Sequence, residues 1–378
     1  MTAASPSRLI IDLTAYAKNL TAVRARIPRE CGVVSVIKAD AYGHGAIEVA
    51  RKAVAEGVKM LAVATVAEAI DLRDAGIEAP ILVLVQPEED AIGPAIEADA
   101  RLMISDVKTA ERLGELARRA NRVVQVHCKI DTGMGRQGFN AETAVQDMLY
   151  LTRISHVDIE GVATHFAVAD ASRDPFTANQ LRVFRHVLRQ LDKEGIPYEM
   201  AHAANSAGVV NHEGAAFDMV RVGIMTYGVW PSDSPSPAAP HALAAVMQWE
   251  SRIVLTKTIE KGGSIGYGRT FTAHGVTRTA VVPVGYADGY PLSLSNRASV
   301  LVRGKRCPVR GRVSMDQIVI DITGLPQAEV GDTVTLLGSD GQETISAAEL
   351  AERAGTIPYE IFTGIGNRVK REYIGAVR

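Results

Sequence analysis

The chain is poor in cysteine. Cys31, Cys128 and Cys307 are its only three, far apart and with no CxxC pair among them. That spacing offers neither a metal-ligand motif nor a disulfide framework, and it suits a reducing cytoplasm. An excess of one charge is also missing, with 41 basic residues against 43 acidic. No polyanion-binding field follows, so nucleic acid is not an expected partner and a small-molecule ligand fits better. No apolar run is long enough to cross a bilayer, and the N-terminal MTAASPSRLIIDL has no basic region leading into a long apolar segment. The expectation is an unexported cytoplasmic protein with no membrane partner.

What is present is length and apolar content. At 378 residues and 47% hydrophobic, the chain can bury a large core and form two domains. Arg8 to Leu13 alternate like a short strand, after which Thr14 is placed to cap an amphipathic helix. From Val33 onward come VVSVIKA, MLAVATV, PILVLVQ, ARLMISD, VVQVHCKID, HVDIEGVATHF, YEMAHAAN and MVRVGIMTYG. These strand-like runs are mostly separated by helical stretches rich in Ala, Leu, Glu and Arg, the rhythm of an α/β (β/α)8 TIM-type barrel. PSDSPSPAAPH then reads as a linker or ordered loop, and beyond it short runs broken by Gly and Pro predict a mostly antiparallel β domain. The expected division is 14–235 for the barrel, and 1–13 with 236–378 for the β domain.

Barrel chemistry is built at the C-terminal ends of the strands. The unusual polar residues fall there: Lys38 and Tyr42 after the first run, Arg136 after the fifth, His165 closing the sixth, Asn205 and Ser206 after the seventh, Arg221 in the eighth. Taken singly, each has an ordinary structural role open to it. Lys38 is a strand-end lysine whose amine, partly desolvated, is suited to Schiff-base chemistry. Ser206 and the backbone near Gly223 and Ile224 lie where such barrels bind phosphate. A phosphate with a Schiff-base lysine points to pyridoxal phosphate. Facing the pyridine nitrogen, Arg221 would donate a hydrogen bond without surrendering its proton, leaving the ring a weaker electron sink. In the second domain, Tyr267 stands between glycines in GGSIGYGRT and Met315 follows a short apolar run in RGRVSMDQ. Here the alternatives are a hairpin tip and a strand exit.

Taken together, VIKADAYGHG, DTGMGR, GVATHFA, HAANSAG, RVGIMTYG, GYGR, VGYADGY and GRVSMDQ, in that order over nearly the whole chain, resemble the bacterial alanine racemases. The resemblance implies that Lys38 anchors pyridoxal 5'-phosphate and moves the α-proton on one face of the substrate, with Tyr267 serving the other. It implies that Tyr42, Ser206, Tyr359 and the Gly223–Ile224 backbone hold phosphate, that Arg221 holds the pyridine nitrogen with His165 behind it, and that Arg136 and the Met315 backbone hold the substrate carboxylate. It further implies a carbamylated Lys129, a head-to-tail homodimer with shared sites, and D-alanine supply for peptidoglycan. An ion pair with Asp131 is the alternative for Lys129, and Arg269 is a candidate source of positive charge for Tyr267. Leu292 and Lys370 depart from the family pattern, which commonly has arginine and proline there. Serine is the nearest competing substrate, because a mainly apolar pocket rejects one added hydroxyl poorly. A fold-related decarboxylase and a non-catalytic pyridoxal-phosphate carrier are the rival classes.

Overall fold

The computed structural model describes residues 6–232 and 242–377. The boundary expected at 235/236, and most of the linker around it, lie outside them. Eight parallel strands close on themselves: Gly32–Val36, Met60–Val63, Ile81–Val83, Arg101–Ile104, Val124–Asp131, Val157–Ala163, Met200–His202 and Met219–Val222. Strands covered on both faces need continuous apolar runs, and GVVSV, MLAV, ILV and MVRV are buried at every position. The intervening helices bury one stripe each, as in Val107–Arg119, where Ala110, Leu113, Gly114 and Ala117 face inward.

The strand Arg8–Asp12 belongs to a different layer. It pairs antiparallel with Met247–Arg252 and parallel with Lys370–Ile374, in a sheet whose other strands are contributed by residues 299–345. Lys370 opens the edge strand of that sheet, its amine 3.4 Å from Glu372, and a charged edge discourages further strand pairing. The cap of the first helix, Leu13–Arg24, differs from the sequence expectation. Asp12 is the N-cap, its carboxylate accepting from the Thr14 and Ala15 amides, because the strand runs directly into the helix without a spare residue. Among the described residues, no helix is long and apolar enough to cross a membrane.

Candidate active site

The first barrel strand leads into a turn whose handedness the sequence alone does not announce. Ala39, Asp40, Ala41 and Tyr42 all have φ of 53–54°, a left-handed turn built without glycine. For L-residues this conformation costs about 1–2 kcal/mol per residue, so it persists only when over-determined by its surroundings. Glu68 accepts from the Ala39 amide at 2.6 Å, and the Asp40 carboxylate accepts from Ala46 at 2.7 Å. The fully buried His44 donates from Nδ1 to the carbonyls of Ala41 and Tyr42 at 3.0 and 2.9 Å. Lys38 and Tyr42, at the two ends of this turn, thereby reach the same cavity.

That cavity, of about 440 Å³, lies at the C-terminal mouth of the barrel. It gathers Lys38, Tyr42, Lys129, Arg136, His165, Asn205, Ser206, Arg221, Gly223, Ile224 and Tyr359, every barrel-mouth residue singled out from the sequence. Leu84, Val85 and Met103 give it an apolar wall. Four of its lining groups are cationic and none is a carboxylate. Burial and the charge of Arg136 push the Lys38 amine below the usual lysine range, opposed by Glu68. Burial, with Arg221 and Arg136, lowers Lys129 to about 8, and no carboxylate among the described residues lies within ion-pair distance of it. Asp131, its partner in the alternative reading, accepts instead from the Gly133 and Gly135 amides.

Arg221 is 5% exposed, and burial lowers its guanidinium to about 10. Its Nη1 donates to His202 Nδ1 and the His202 carbonyl, and its Nη2 to the Thr164 and Ala203 carbonyls and His165 Nδ1. Nε–H is the donor for which no acceptor exists among the described residues. Ser206 Oγ accepts from the Gly223 amide at 3.1 Å, tying the seventh strand's exit to the eighth. Asn205 caps the short helix Ser206–Asn211, accepting from Gly208.

Tyr267 and Met315 are not part of this cavity. They stand 71% and 53% exposed on the β domain, Tyr267 on a single 3₁₀ turn and Met315 in a loop pinned where Tyr286 and Ala287 donate to the Ser314 and Met315 carbonyls. Arg269, two residues on and a candidate source of positive charge for Tyr267, donates to Ser264 Oγ.

The chain matches two family descriptions, "Alanine racemase, N-terminal domain" over residues 11–231 and "Alanine racemase, C-terminal domain" over 246–373. It is 42% identical over 368 residues to an alanine racemase from Halothermothrix orenii, covering 97% of both chains. The chain belongs to the alanine racemase family. An alanine racemase from Symbiobacterium thermophilum is 43% identical over 370 residues, with 98% of this chain and 97% of that one covered. Among solved structures, the alanine racemase of Clostridium difficile 630 superposes with a TM-score of 0.94 at 35% identity, covering 100% of this chain and 98% of that one. The Bartonella henselae alanine racemase, a structure with covalently bound pyridoxal phosphate, has a TM-score of 0.87 at 28% identity and covers 97% and 99%.

Family membership does not by itself name the residues that support the mouth from behind. Glu68 and His44, which hold the left-handed turn, were not foreseen. Glu68 carried a capping-box signature with Thr65, and it does close that box while also reaching Ala39. His202 behind Arg221 gave no signal beyond a polar residue in an apolar run.

Proposed function

We propose that the protein interconverts L-alanine and D-alanine, with pyridoxal 5'-phosphate seated in the barrel mouth and the second base supplied by another copy of the chain. The observation that carries this is the all-cationic mouth around Lys38, in a chain of the alanine racemase family. The residues fit the cofactor. A Cβ at Gly223 would lie 2.4 Å from the Tyr42 hydroxyl, so only glycine lets that phenol come down on the backbone beside Ser206. Tyr42, Ser206, Tyr359 and the Ile224 amide form a donor set suited to a phosphate, and the Gly223 amide, which here donates to Ser206 Oγ, lies beside them. The unpartnered Nε–H of Arg221 suits the pyridine nitrogen, and a guanidinium there argues against the decarboxylases, which use a glutamate.

Bound pyridoxal phosphate supplies an electron sink that makes the α-proton of an amino acid removable. The chain must then hold the substrate and move that proton. Arg136 and the Met315 backbone of the partner subunit hold the carboxylate. Lys38, its charge disfavoured by burial and by Arg136, accepts or returns the proton on one face. Tyr267 of the partner subunit does so on the other, so that acid and base exchange roles with direction. Support for a head-to-tail homodimer is the exposure of Tyr267 and Met315 away from their own chain's mouth. Serine remains the nearest competitor.

The test is incubation with L-alanine in deuterium oxide, followed by chiral separation with mass detection. D-alanine carrying an α-deuteron is expected, whereas ethylamine would indicate decarboxylation. Unchanged alanine from folded, cofactor-loaded protein would remove the assignment.

Lys129 is the residue by which the mouth would acquire an anion. At a pKa of about 8 a useful fraction of its amine is neutral near neutral pH. Nζ then attacks the carbon of CO2, the N–C bond forms and a proton leaves, giving a carbamate facing Arg136. Native mass spectrometry in bicarbonate is expected to show a gain of one CO2 per chain, absent in Lys129→Ala. No gain, together with no carbamate resonance under 13C-labelled bicarbonate, would reject the modification.

A further inference from the structure

Behind Arg221 the barrel interior holds a line of polar side chains that the reaction above does not use. His202 on the seventh strand and His127 on the fifth are both fully buried. Because His202 Nδ1 accepts from Arg221 at 2.8 Å, its proton is on Nε2. His127 Nδ1 accepts that proton's bond at 2.7 Å, which leaves His127 Nε2–H to donate to Glu160 at 2.8 Å. Arg101 Nε reaches the other Glu160 oxygen at 3.4 Å. Every N–H between Arg221 and Glu160 therefore points toward the carboxylate. Burial keeps both imidazoles below the usual histidine range, Arg221 adding to the effect at His202. Burial alone would raise the Glu160 carboxyl, but the bond from His127 and the charge of Arg101 hold it below its ordinary value.

The barrel is locally deformed around this line. Val126 pairs with Ile159 but His127 pairs with Gly161, so Glu160 is the extra residue of a bulge. Bulges re-aim side chains, and this one turns a carboxylate inward from a strand of alternating character. Gly161 is required beside it, because a Cβ there would lie 2.3 Å from His127 Nδ1. Packing gives no reason for such an arrangement, since apolar replacements of buried polar networks are often neutral or stabilising.

We propose that His127 and Glu160 are positioning residues for Arg221. They fix the His202 ring so that its Nδ1 occupies one guanidinium donor, and they set a negative charge at the far end of the line to balance the buried cation. Nε–H is thereby left aimed at the mouth. The inference rests on reading Arg221 as the partner of the cofactor's ring nitrogen.

Two substitutions at one position separate positioning from packing. His127→Gln keeps an acceptor for His202 and a donor for Glu160, whereas His127→Leu removes both. The full-length protein is stripped of cofactor and titrated with pyridoxal 5'-phosphate, reading the dissociation constant, the absorption band of the bound form and the melting temperature. His127→Leu is expected to bind about tenfold more weakly with a displaced band, and His127→Gln to stay within about twofold of wild type. Glu160→Gln, which keeps an acceptor and loses only the charge, is expected to weaken binding at least about threefold. Wild-type binding by His127→Leu, or equal loss in His127→Gln and His127→Leu, would overturn the proposal. Should His127→Leu fail to fold, Glu160→Gln decides, and wild-type binding there overturns it. Failure of the wild-type protein itself to bind pyridoxal phosphate would instead overturn the functional reading.

Discussion

Mixing two inactive variants, Lys38→Ala and Tyr267→Phe, is expected to restore activity. Each alone lacks one of the two groups proposed to move the α-proton: the first is expected to leave no detectable racemisation, and the second to lose about 10²–10⁴-fold. In a hybrid dimer one mouth receives both defects and the other receives neither. Equal mixing makes about half of the dimers hybrid, each with one good site of two, so the recovered rate should approach about a quarter of wild type. The geometry behind this is the separation of Tyr267 and Met315, both exposed on the β domain, from the cavity of their own chain. Subunit exchange is verified by differential tagging, and the rate is read by chiral chromatography. Verified hybrids without activity would mean that each chain completes its own site.

Gly223→Ala is expected to be the most damaging single methyl at the mouth. The new Cβ would lie 2.4 Å from the Tyr42 hydroxyl and 2.9 Å from its Cζ. Tyr42 has no room to retreat, because its ring rests against Tyr227 at 4.8 Å and Tyr359 at 5.8 Å between centroids. Overpacking of this kind costs about 1–3 kcal/mol, and here it also displaces donors assigned to the phosphate. Both melting temperature and affinity for pyridoxal phosphate should fall. Adding Tyr42→Phe removes the closest atom and should recover part of the stability but not the affinity, a coupling that a double-mutant cycle measures. A Gly223→Ala protein with wild-type stability and affinity would show that the phenol moves freely.

Much of the architecture was legible because its signals are local. Eight apolar runs became eight parallel strands, and the polar residues that interrupted their C-terminal ends converge on one cavity. The features that escaped depend on partners distant in sequence. ADAY contains no glycine, so nothing in it advertises a left-handed turn; that conformation is imposed by Glu68 and His44. The run VDIEGVA could not reveal that Glu160 is bulged inward, since a bulge is defined by the neighbouring strand's register. The alternative of a Lys129–Asp131 pair failed for a related reason, as glycine amides two and four residues on had already taken the carboxylate. Thr14 yielded its cap to Asp12 because strand and helix are contiguous.

The left-handed turn also bears on the order in which the molecule assembles. Its bond to Glu68 comes from the next β/α unit, whose helix Val66–Asp74 must be docked before Ala39 has its acceptor. Until then the four residues have every reason to relax into ordinary right-handed or extended backbone, which would swing Lys38 away from its final bearing. Without that helix the Ala39 amide has no acceptor, and the turn keeps only the bonds that Asp40 and His44 make within its own unit. The bearing of the Lys38 amine is thus tied to the packing of the neighbouring unit as well as to its own turn.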